Sequence, residues 1–266
     1  MKPVSACVAG MLWLAVLVGA SGDERPSSSK DKARGGGASL KRGIGLPERH
    51  GFGEKHLEEL HVAWYYNWGP ATKLKTKALF VPMVFSMKSL DADISGDFVL
   101  GFNEPDHIKQ SNISVEEAFK HWPKVARQVK HVGSPAVAGN PVTGDWLPAF
   151  MKGNPKVDFI TVHWYKGVDS KHFIKDMQAV HDKYKKPIWV TEFAPQTAAN
   201  SKENPTKFTQ EQVNQFIADT THWMETSPVV ERYAWHDSGV GTSALFDEKG
   251  RLTDSGKAYA SVHGQK

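Results

Sequence analysis

The sequence predicts a (β/α)₈ barrel, and two patterns carry that prediction. Eight short apolar runs recur along the 266-residue chain, and each ends in polar or aromatic residues. Continuous apolar runs of this length are typical of strands buried on both faces, as in a parallel sheet. Helical patterns separate the later runs, and strands that alternate with helices favour a closed parallel barrel. The runs span residues 42–47, 61–68, 78–86, 98–104, 135–141, 157–165, 187–194 and 230–237.

Helix signals are clear between the later runs, where polar capping residues precede apolar residues at helical spacing. The predicted helices begin at Ser114, Ser170, Thr209 and Asp254. The connections 69–78 and 87–96 are too short for a helix and its turns, so we expect reduced or missing helices in the first half. A doubly wound open sheet is the alternative, but no glycine-rich phosphate loop supports it.

The N-terminus has the features of a secretory signal peptide. A positive start precedes an apolar run of about fifteen residues, and Val18 and Ala20 have the spacing that a signal peptidase accepts. We expect a signal peptide at 1–20 and a secreted, extracellular or cell-wall protein. The run is short for a bilayer span, so no membrane span is expected in the mature form. Residues 21–40 are rich in Ser, Gly and charge, which predicts a disordered linker before a single catalytic domain at 41–266.

Composition argues against several kinds of site. The only cysteine, Cys7, lies in the predicted signal peptide, so the mature protein would have neither a disulfide nor a thiol nucleophile. The net charge of +4 is spread without a basic block, which disfavours nucleic-acid binding. The twelve histidines show no spacing typical of a metal site, so we expect no metal and no cofactor. Nine tryptophans are candidates for core packing or for stacking on flat ligands, and we expect a monomer.

Two glutamates follow predicted strands, at the end where barrel enzymes carry their function. Glu104 ends the fourth run in FNEPD, and Glu192 lies in the seventh run in VTEFA. Strand alternation predicts that Val190 and Glu192 share one face, and that His163 and Tyr165 share a face. Two carboxylates beside indole rings favour cleavage of a glycosidic bond. The alternative is that each glutamate only ends a strand or pairs with a nearby lysine.

Six motifs occur in a fixed order along the chain. They are WYYNW (64–68), LGFNEPD (100–106), HWY (163–165), VTEFA (190–194), RYAWH (232–236) and LTDSGKAYA (252–260). Together they resemble the glycosyl hydrolase catalytic-core family, which corresponds to glycoside hydrolase family 128, a family of β-1,3-glucanases among the retaining (β/α)₈ glycosidases. The resemblance covers nearly all of 41–266, although KRGIGLP at 41–47 matches the family's first strand only in part.

The resemblance implies a role for each candidate residue. Glu104 would be the acid/base and Glu192 the nucleophile of a double displacement, which requires Glu104 protonated and Glu192 ionised. Asn103 would hydrogen-bond the sugar 2-hydroxyl, and Trp235 would form the floor under the sugar. Tyr165 would hold Glu192 ionised and oriented. Further candidates for substrate contacts are Tyr66, Trp68, Asn140 and His163.

The resemblance therefore predicts a secreted β-1,3-glucanase with endo action on β-glucan polysaccharides or oligosaccharides. Two other functions stay open. The family includes members that bind glucans without cutting them, so a secreted glucan-binding wall protein of the same fold is one alternative. A retaining glycosidase for another β-glucan or for mannan is the other. The presence of both Glu104 and Glu192 favours a hydrolase over a binding protein, which has no use for an acid and a nucleophile.

Overall fold

Eight short parallel strands follow one another along the chain in a computed structural model, which describes residues 38–197, 203–236 and 239–264. The strands are β1 (Arg42–Gly45), β2 (Trp64–Tyr66), β3 (Leu79–Phe80), β4 (Phe98–Val99), β5 (His131–Val132), β6 (Ile160–Trp164), β7 (Ile188–Phe193) and β8 (Val230–His236). The described residues belong to one compact unit, Gly35–Lys266. The predicted signal peptide and all but the last three residues of the predicted linker lie outside the described residues.

The strands close into a ring. Six of them form one parallel sheet in the order β3-β2-β1-β8-β7-β6, and β4 pairs with β5. Two isolated parallel bridges join these groups, Met83 to Leu100 beyond β3 and β4, and Gly133 to Phe159 between β5 and β6. Each strand therefore has a neighbour on both sides, and the predicted eight-stranded barrel is confirmed.

The fifth strand lies earlier than predicted. The apolar run 135–141 contributes only a single bridge, from Ala136 to Asn103, whereas β5 itself is His131–Val132. Its sequence signal is weak because an exposed His131 opens the strand and a glycine and a serine follow it. Pro135 and Pro141 lack the N–H that a continuing ladder would need.

Six helices cover the outside of the barrel in the described part of the chain. They are α1 (Glu54–Glu59), α2 (Val115–Ala126), α3 (Trp146–Lys152), α4 (Ser170–Tyr184), α5 (Gln210–Thr226) and α6 (Asp254–Ala260). Before β4, the six-residue α1 is the only α-helix among the described residues, and a 3₁₀ turn at Met87–Ser89 joins β3 to β4. Reduced helices on that side were expected from the short connections, and the structure confirms them. No helix among the described residues is long and apolar enough to cross a membrane.

Polar side chains cap the longer helices where the sequence indicates. The Ser114 hydroxyl accepts from the Glu117 N–H at the start of α2, and Thr209 with Gln212 forms a complete capping box at α5. At α4 the expected cap was wrong by one residue, because the Asp169 carboxylate accepts from the His172 N–H and Ser170 is already helical. An ionised Asp is at least as good a cap as Ser, so the two adjacent candidates could not be separated by residue type.

An aromatic cluster fills the barrel interior. The interior cluster consists of Trp64, Tyr66, Val81, Met83, Leu100, Phe159, Trp189 and Ala234. The rings of Phe159 and Trp189 stack with centroids 4.1 Å apart, and the Arg232 guanidinium lies 4.8 Å from the Trp189 ring centroid. These rings leave little room for β1, which passes the Trp64 indole with glycine at position 43. The packed interior forms the base on which the site at the strand ends rests.

Replacing Gly43 with alanine should destabilise the barrel. A Cβ at this position would lie 2.4 Å from Trp64 Cε2, inside the interior cluster, where neither ring nor backbone can move freely. We expect the free energy of unfolding to fall by about 1–3 kcal/mol, measured by urea denaturation. Gly53→Ala is the matched control, because its nearest neighbour would be 3.7 Å away. Equal losses in the two variants would contradict the packing argument.

Candidate active site

The Glu192 carboxylate is buried near the end of β7 and is held by three aromatic donors. Its Oε1 accepts from the Trp68 Nε1–H at 2.8 Å and from the Tyr66 hydroxyl at 3.1 Å. Its Oε2 accepts from the Tyr165 hydroxyl. The Glu192 side chain is only 6% exposed, so these donors replace the water that an ionised carboxylate would otherwise bind.

A bulge in β7 turns Glu192 toward the barrel mouth. Alternation predicted Val190 and Glu192 on one face, and that prediction is wrong. The register of β7 shifts against both β6 and β8. Val190 pairs with Val162, but the next β6 residue, His163, pairs with Glu192, so β7 has one extra residue at this point. Val190 consequently packs in the core under the helices, while Glu192 contacts Tyr66 of the interior cluster. Bulges re-aim side chains in this way next to active sites.

One imidazole lies between the two predicted catalytic glutamates. His163 Nδ1 is 3.0 Å from Glu104 Oε1 and 3.4 Å from Glu192 Oε2, and the three groups have ligand atoms within 4.8 Å of one another. Burial alone would lower the pKa of His163, but the negative charge of Glu192 and the hydrogen bond to Glu104 outweigh it and raise the pKa. A protonated His163 can therefore compensate negative charge at both carboxylates.

The same contacts favour the ionised form of Glu192. Burial alone would raise the pKa of Glu192, but the positive charges of His163 and His236, with hydrogen bonds from Tyr165 and Trp68, lower it below the ordinary value. Burial also raises the pKa of the Tyr165 hydroxyl well above its ordinary value, so this group stays a proton donor. The environment thus holds a buried negative charge at Glu192.

Glu104 ends the β4 segment in a conformation that few side chains adopt. Its φ is 42°, in the left-handed region, and about 1–2 kcal/mol opposes that region for a residue with a Cβ. Its N–H donates to the Ala136 carbonyl at 2.7 Å, which fixes the backbone against the β5 segment. The Glu104 side chain is 13% exposed, more open than Glu192, so it faces the solvent side of the pair.

Asn103 lies beside Glu104 and has an unpaired acceptor oxygen, Oδ1, among the described residues. It is 3% exposed, and its Nδ2 donates to Gln110 Oε1 over a long 3.5 Å. Its Oδ1 is buried without a hydrogen-bond partner among the described residues. A buried amide oxygen normally has a partner, and this oxygen can accept a hydrogen bond from a ligand hydroxyl. The position suits the predicted contact with a sugar hydroxyl.

Tyr66 and Trp68 both contact Glu192, and this contact is their main role in the structure. Both lie at the end of β2 and both donate hydrogen bonds to its carboxylate, as described above. Tyr66 is fully buried, and Trp68 is half-buried with its ring edge toward His236, centroids 5.6 Å apart. The structure therefore assigns both residues a contact with the carboxylate, and only Trp68 keeps a surface that could also touch substrate.

The predicted role of Trp235 as the floor under the sugar needs correction. Trp235 has no exposed surface; its ring packs at 5.0 Å from Phe193 and 5.9 Å from Tyr259, in the core under the helices. On β8 it is His236 that points to the site, since adjacent strand residues face opposite sides. A ring without exposed surface cannot stack on a sugar in this conformation.

Asn140 lies in the loop after the β5 segment, not at a strand end. It is exposed, and its Oδ1 accepts from the N–H groups of Val142 and Thr143 at 2.8 and 3.0 Å. It lines a cavity of about 410 Å³ that His163 and Tyr165 also line. Asn140 thus shares a cavity with two residues of the site, and its side-chain carbonyl already shapes its own turn.

Two further residues reach the site, Gln110 and His236, and of these Gln110 was not expected from the sequence. Gln110 reaches Asn103 only because the loop after Glu104 folds back, and nothing in its sequence position indicates this. His236 Nδ1 lies 3.6 Å from Glu192 Oε2, and the His236 ring packs edge-on against Tyr165 at 5.5 Å. Ala234, two residues earlier on β8, belongs to the interior cluster, so alternation along β8 accounts for the position of His236.

The site also has ligand atoms of the kind that bind a cation. Glu104, His163 and Glu192 form such a group among the described residues. His163 Nε2, however, has no hydrogen-bond partner in the described part of the chain, whereas a metal-binding His usually anchors its other nitrogen. The existing contacts describe two carboxylates that share one imidazole, and a site without metal stays our prediction.

An eight-stranded parallel barrel with two adjacent glutamates at its mouth, one ionised and buried and one more exposed, is the architecture of a glycoside hydrolase. The glycosyl hydrolase catalytic core family model matches residues 48–259, and the chain belongs to that family. Solved structures extend the assignment to glycoside hydrolase family 128, as the motifs predicted. A comparison with curated protein sequences found no match.

Three solved structures illustrate the range of the family. An endo-β-1,3-glucanase from Amycolatopsis mediterranei, in complex with laminaritriose, is 31% identical over 84% of this chain and 99% of its own, with a TM-score of 0.74. An exo-β-1,3-glucanase from Cryptococcus neoformans is 27% identical over 85% and 100%, with a TM-score of 0.71. An oligosaccharide-binding protein from Trichoderma gamsii is 26% identical over 83% and 92%, with a TM-score of 0.67.

Removing one aromatic donor should make Glu192 a weaker acid. In Trp68→Phe the carboxylate loses the 2.8 Å bond that stabilises its charged form, so the pKa of Glu192 should rise. Carbon-13 NMR titration of labelled glutamate carboxyls measures the change, with Glu192→Gln assigning the resonance. Trp146→Phe is the control, since Trp146 donates to the Ile113 carbonyl instead. An unchanged or lower pKa in Trp68→Phe would contradict the described hydrogen bond.

Proposed function

We propose that this protein hydrolyses β-1,3-glucan with retention of anomeric configuration, by a double displacement at Glu104 and Glu192. The observation that carries the proposal is the paired carboxylates in unlike environments. Their ligand atoms lie within 4.8 Å, with Glu192 buried among donors and Glu104 more exposed. Retaining glycosidases place their carboxyl groups about 5–5.5 Å apart, closer than inverting enzymes, which leave room for a water.

The first half of the reaction forms a covalent intermediate. Glu192, as the ionised group, attacks the anomeric carbon, and the bond to the leaving glycosidic oxygen breaks. Glu104 gives its proton to that oxygen, so the shortened glucan leaves as an alcohol. As the new ester forms, negative charge leaves Glu192 and appears on Glu104, and His163 lies within 3.4 Å of both carboxylates. One positive charge thus compensates the negative charge at either stage.

The second half releases the sugar and restores both groups. Glu104, now ionised, takes a proton from a water molecule, and the resulting oxygen attacks the anomeric carbon. Glu192 departs as a carboxylate into its waiting hydrogen bonds from Trp68, Tyr66 and Tyr165. Those donors are fixed before the reaction, so little reorganisation is needed when the charge returns. The free Asn103 Oδ1 would accept from a hydroxyl of the bound sugar.

The substrate class follows from similarity. The relatives from Amycolatopsis mediterranei and Cryptococcus neoformans are both named as β-1,3-glucanases, and the first was crystallised with laminaritriose. Endo action is proposed because the endo-acting relative has the higher identity, 31% against 27%. The N-terminal apolar run supports secretion of a monomeric enzyme to the cell exterior or wall as part of the same proposal.

A glucan-binding protein without activity is the second candidate, because a relative from Trichoderma gamsii is named as oligosaccharide-binding. The present site argues for hydrolysis instead. A binding site has no need of a buried ionised carboxylate next to a second one, because that arrangement costs stability and is typical of sites where chemistry uses it. Reducing-sugar assays on a panel of β-1,3-glucan, β-1,4-glucan and mannan separate both alternatives, and we expect activity on β-1,3-glucan.

Loss of either carboxylate should abolish hydrolysis. We expect Glu104→Gln and Glu192→Gln to lower kcat on linear β-1,3-glucan by about 10³-fold or more, since each removes a group that acts only in the transition state. Reducing ends released from laminarin are the measurement. Glu211→Gln, in the first turn of α5, is the matched control and should keep full activity. Activity that survives in Glu192→Gln would refute the proposal.

The lowered pKa of Glu192 predicts the pH range in which activity is lost on acidification. Activity needs ionised Glu192, so it should be present above the pKa and be lost as the pH falls through it. Because that pKa is below the ordinary value of 4.5, the acid limb of kcat/KM should lie below pH 4.5. Initial rates between pH 3 and 8 test this, with circular dichroism at each pH to exclude unfolding. An acid limb well above pH 5 would be inconsistent with the hydrogen-bonded carboxylate.

A further inference from the structure

Asp106, two residues after Glu104, has no role in the reaction described above, yet both of its carboxylate oxygens are engaged. Its Oδ1 accepts from the Ala138 N–H at 2.8 Å, and its Oδ2 accepts from the Gly139 N–H at 2.8 Å. A carboxylate that receives two consecutive backbone N–H groups forms charge-assisted bonds in a fixed geometry. Asp106 thus joins the Glu104 loop to the loop after the β5 segment.

The Glu104 backbone needs such support. A residue with a Cβ at φ 42° stays there only when its surroundings determine the conformation. The Glu104 N–H donates to Ala136 at 2.7 Å, and the His107 N–H donates back to the Glu104 carbonyl at 3.0 Å. The Asp106 bonds add a second attachment between the same two segments, on the other side of Pro105. With both attachments in place, the Glu104 segment cannot rotate about the single hydrogen bond to Ala136.

The loop that receives Asp106 is itself anchored. The Tyr184 hydroxyl of α4 donates to the Pro141 carbonyl at 2.5 Å, and Lys183 Nζ donates to the Val142 carbonyl. The Asn140 side chain stabilises the turn in the same loop, because its Oδ1 accepts from the N–H groups of Val142 and Thr143. Asp106 therefore binds a loop that α4 holds in place. Because that loop is fixed, its bonds to Asp106 also restrict the position of the neighbouring Glu104.

We infer that Asp106 is a positioning residue for the general acid, and that its clamp on Ala138 and Gly139 sets the direction from which Glu104 delivers its proton. The inference rests on the proposed hydrolase function. Gly139 is the other half of the clamp: a Cβ there would lie 2.9 Å from Asp106 Oδ2 and displace the carboxylate. The intact clamp thus requires two acceptor oxygens at 106 and a residue without a side chain at 139.

This role predicts a dependence on the leaving group. A misplaced acid slows departure of a sugar alcohol, which needs a proton, but not of dinitrophenolate, which leaves unprotonated. The attack by Glu192 is untouched, because none of its donors belongs to the Asp106 loop. A general loss of structure or of substrate binding would instead slow both substrates or raise KM.

The experiment compares laminaripentaose with 2,4-dinitrophenyl β-laminaribioside in wild type, Asp106→Ala, Asp106→Asn and Gly139→Ala. For Asp106→Ala and Gly139→Ala we expect kcat on laminaripentaose to fall by about 10- to 100-fold with KM little changed, as for a modest misplacement of a catalytic group. The rate of the dinitrophenolate burst should stay near that of wild type. Asp106→Asn keeps one of the two acceptor oxygens, so its activity should lie between that of Asp106→Ala and that of wild type.

The matched control is Asp247→Ala. Asp247 Oδ1 also accepts two backbone N–H bonds, from Lys249 and Arg251 at 2.9 Å each, in a loop that does not contact Glu104. Its activity on both substrates should equal that of wild type. The double variant Asp106→Ala/Gly139→Ala should be no worse than Asp106→Ala alone, since both changes open the same clamp.

Three outcomes would overturn the inference. Equal losses on the two substrates would show a general structural role. An Asp106→Asn variant as slow as Asp106→Ala would show that the charge, and not the clamp, matters. Full activity of Asp106→Ala on laminaripentaose would show no role at all. A wild-type protein inactive on both substrates would count against the proposed function itself, which separates that failure from failure of the clamp.

Discussion

The ionised Glu192 carboxylate is the constraint on which the rest of the site depends. A buried negative charge without compensation would be expelled or neutralised. Here two strand ends supply three aromatic donors, which are Tyr66 at the end of β2, Trp68 just beyond it and Tyr165 just beyond β6. His163 adds a shared proton on the Glu104 side. Each donor is rigid, and each is fixed by a strand whose other side is packed in the core.

The barrel explains how donors from distant parts of the sequence meet at one point. The interior cluster below the site sets the strand spacing, and the glycine at 43 lets β1 pass the Trp64 ring. The β7 bulge then rotates Glu192 from the helix-facing side to the mouth. The opposite wall carries Glu104 on a backbone turn instead of a regular strand, held by Ala136 on one side and by Asp106 on the other. One carboxylate is thus fixed by side-chain donors and the other by its backbone.

Much of this could be predicted because it is encoded locally. The apolar runs gave seven of the strands, Thr209 marked the start of α5, and Glu104 and Glu192 stood out because charged residues rarely follow buried strands. The parts that could not be predicted depend on tertiary contacts. Alternation along β7 placed Val190 on the same face as Glu192, which is wrong, since a bulge separates the two residues and has no signature in residue type. Trp235 was expected under the sugar, yet its parity on β8 places it in the core and leaves His236 at the site.

The most direct test of the account is to trap the covalent intermediate. A 2-deoxy-2-fluoro-β-laminaribiosyl fluoride has a good leaving group and a slowed second step, so the glycosyl-enzyme should accumulate. Peptide mass spectrometry then locates the attached sugar. The account predicts a single labelled peptide with the disaccharide on Glu192 and release of the label on addition of an acceptor sugar. A label on any other residue, or turnover with no labelled protein and an inverted product, would contradict it.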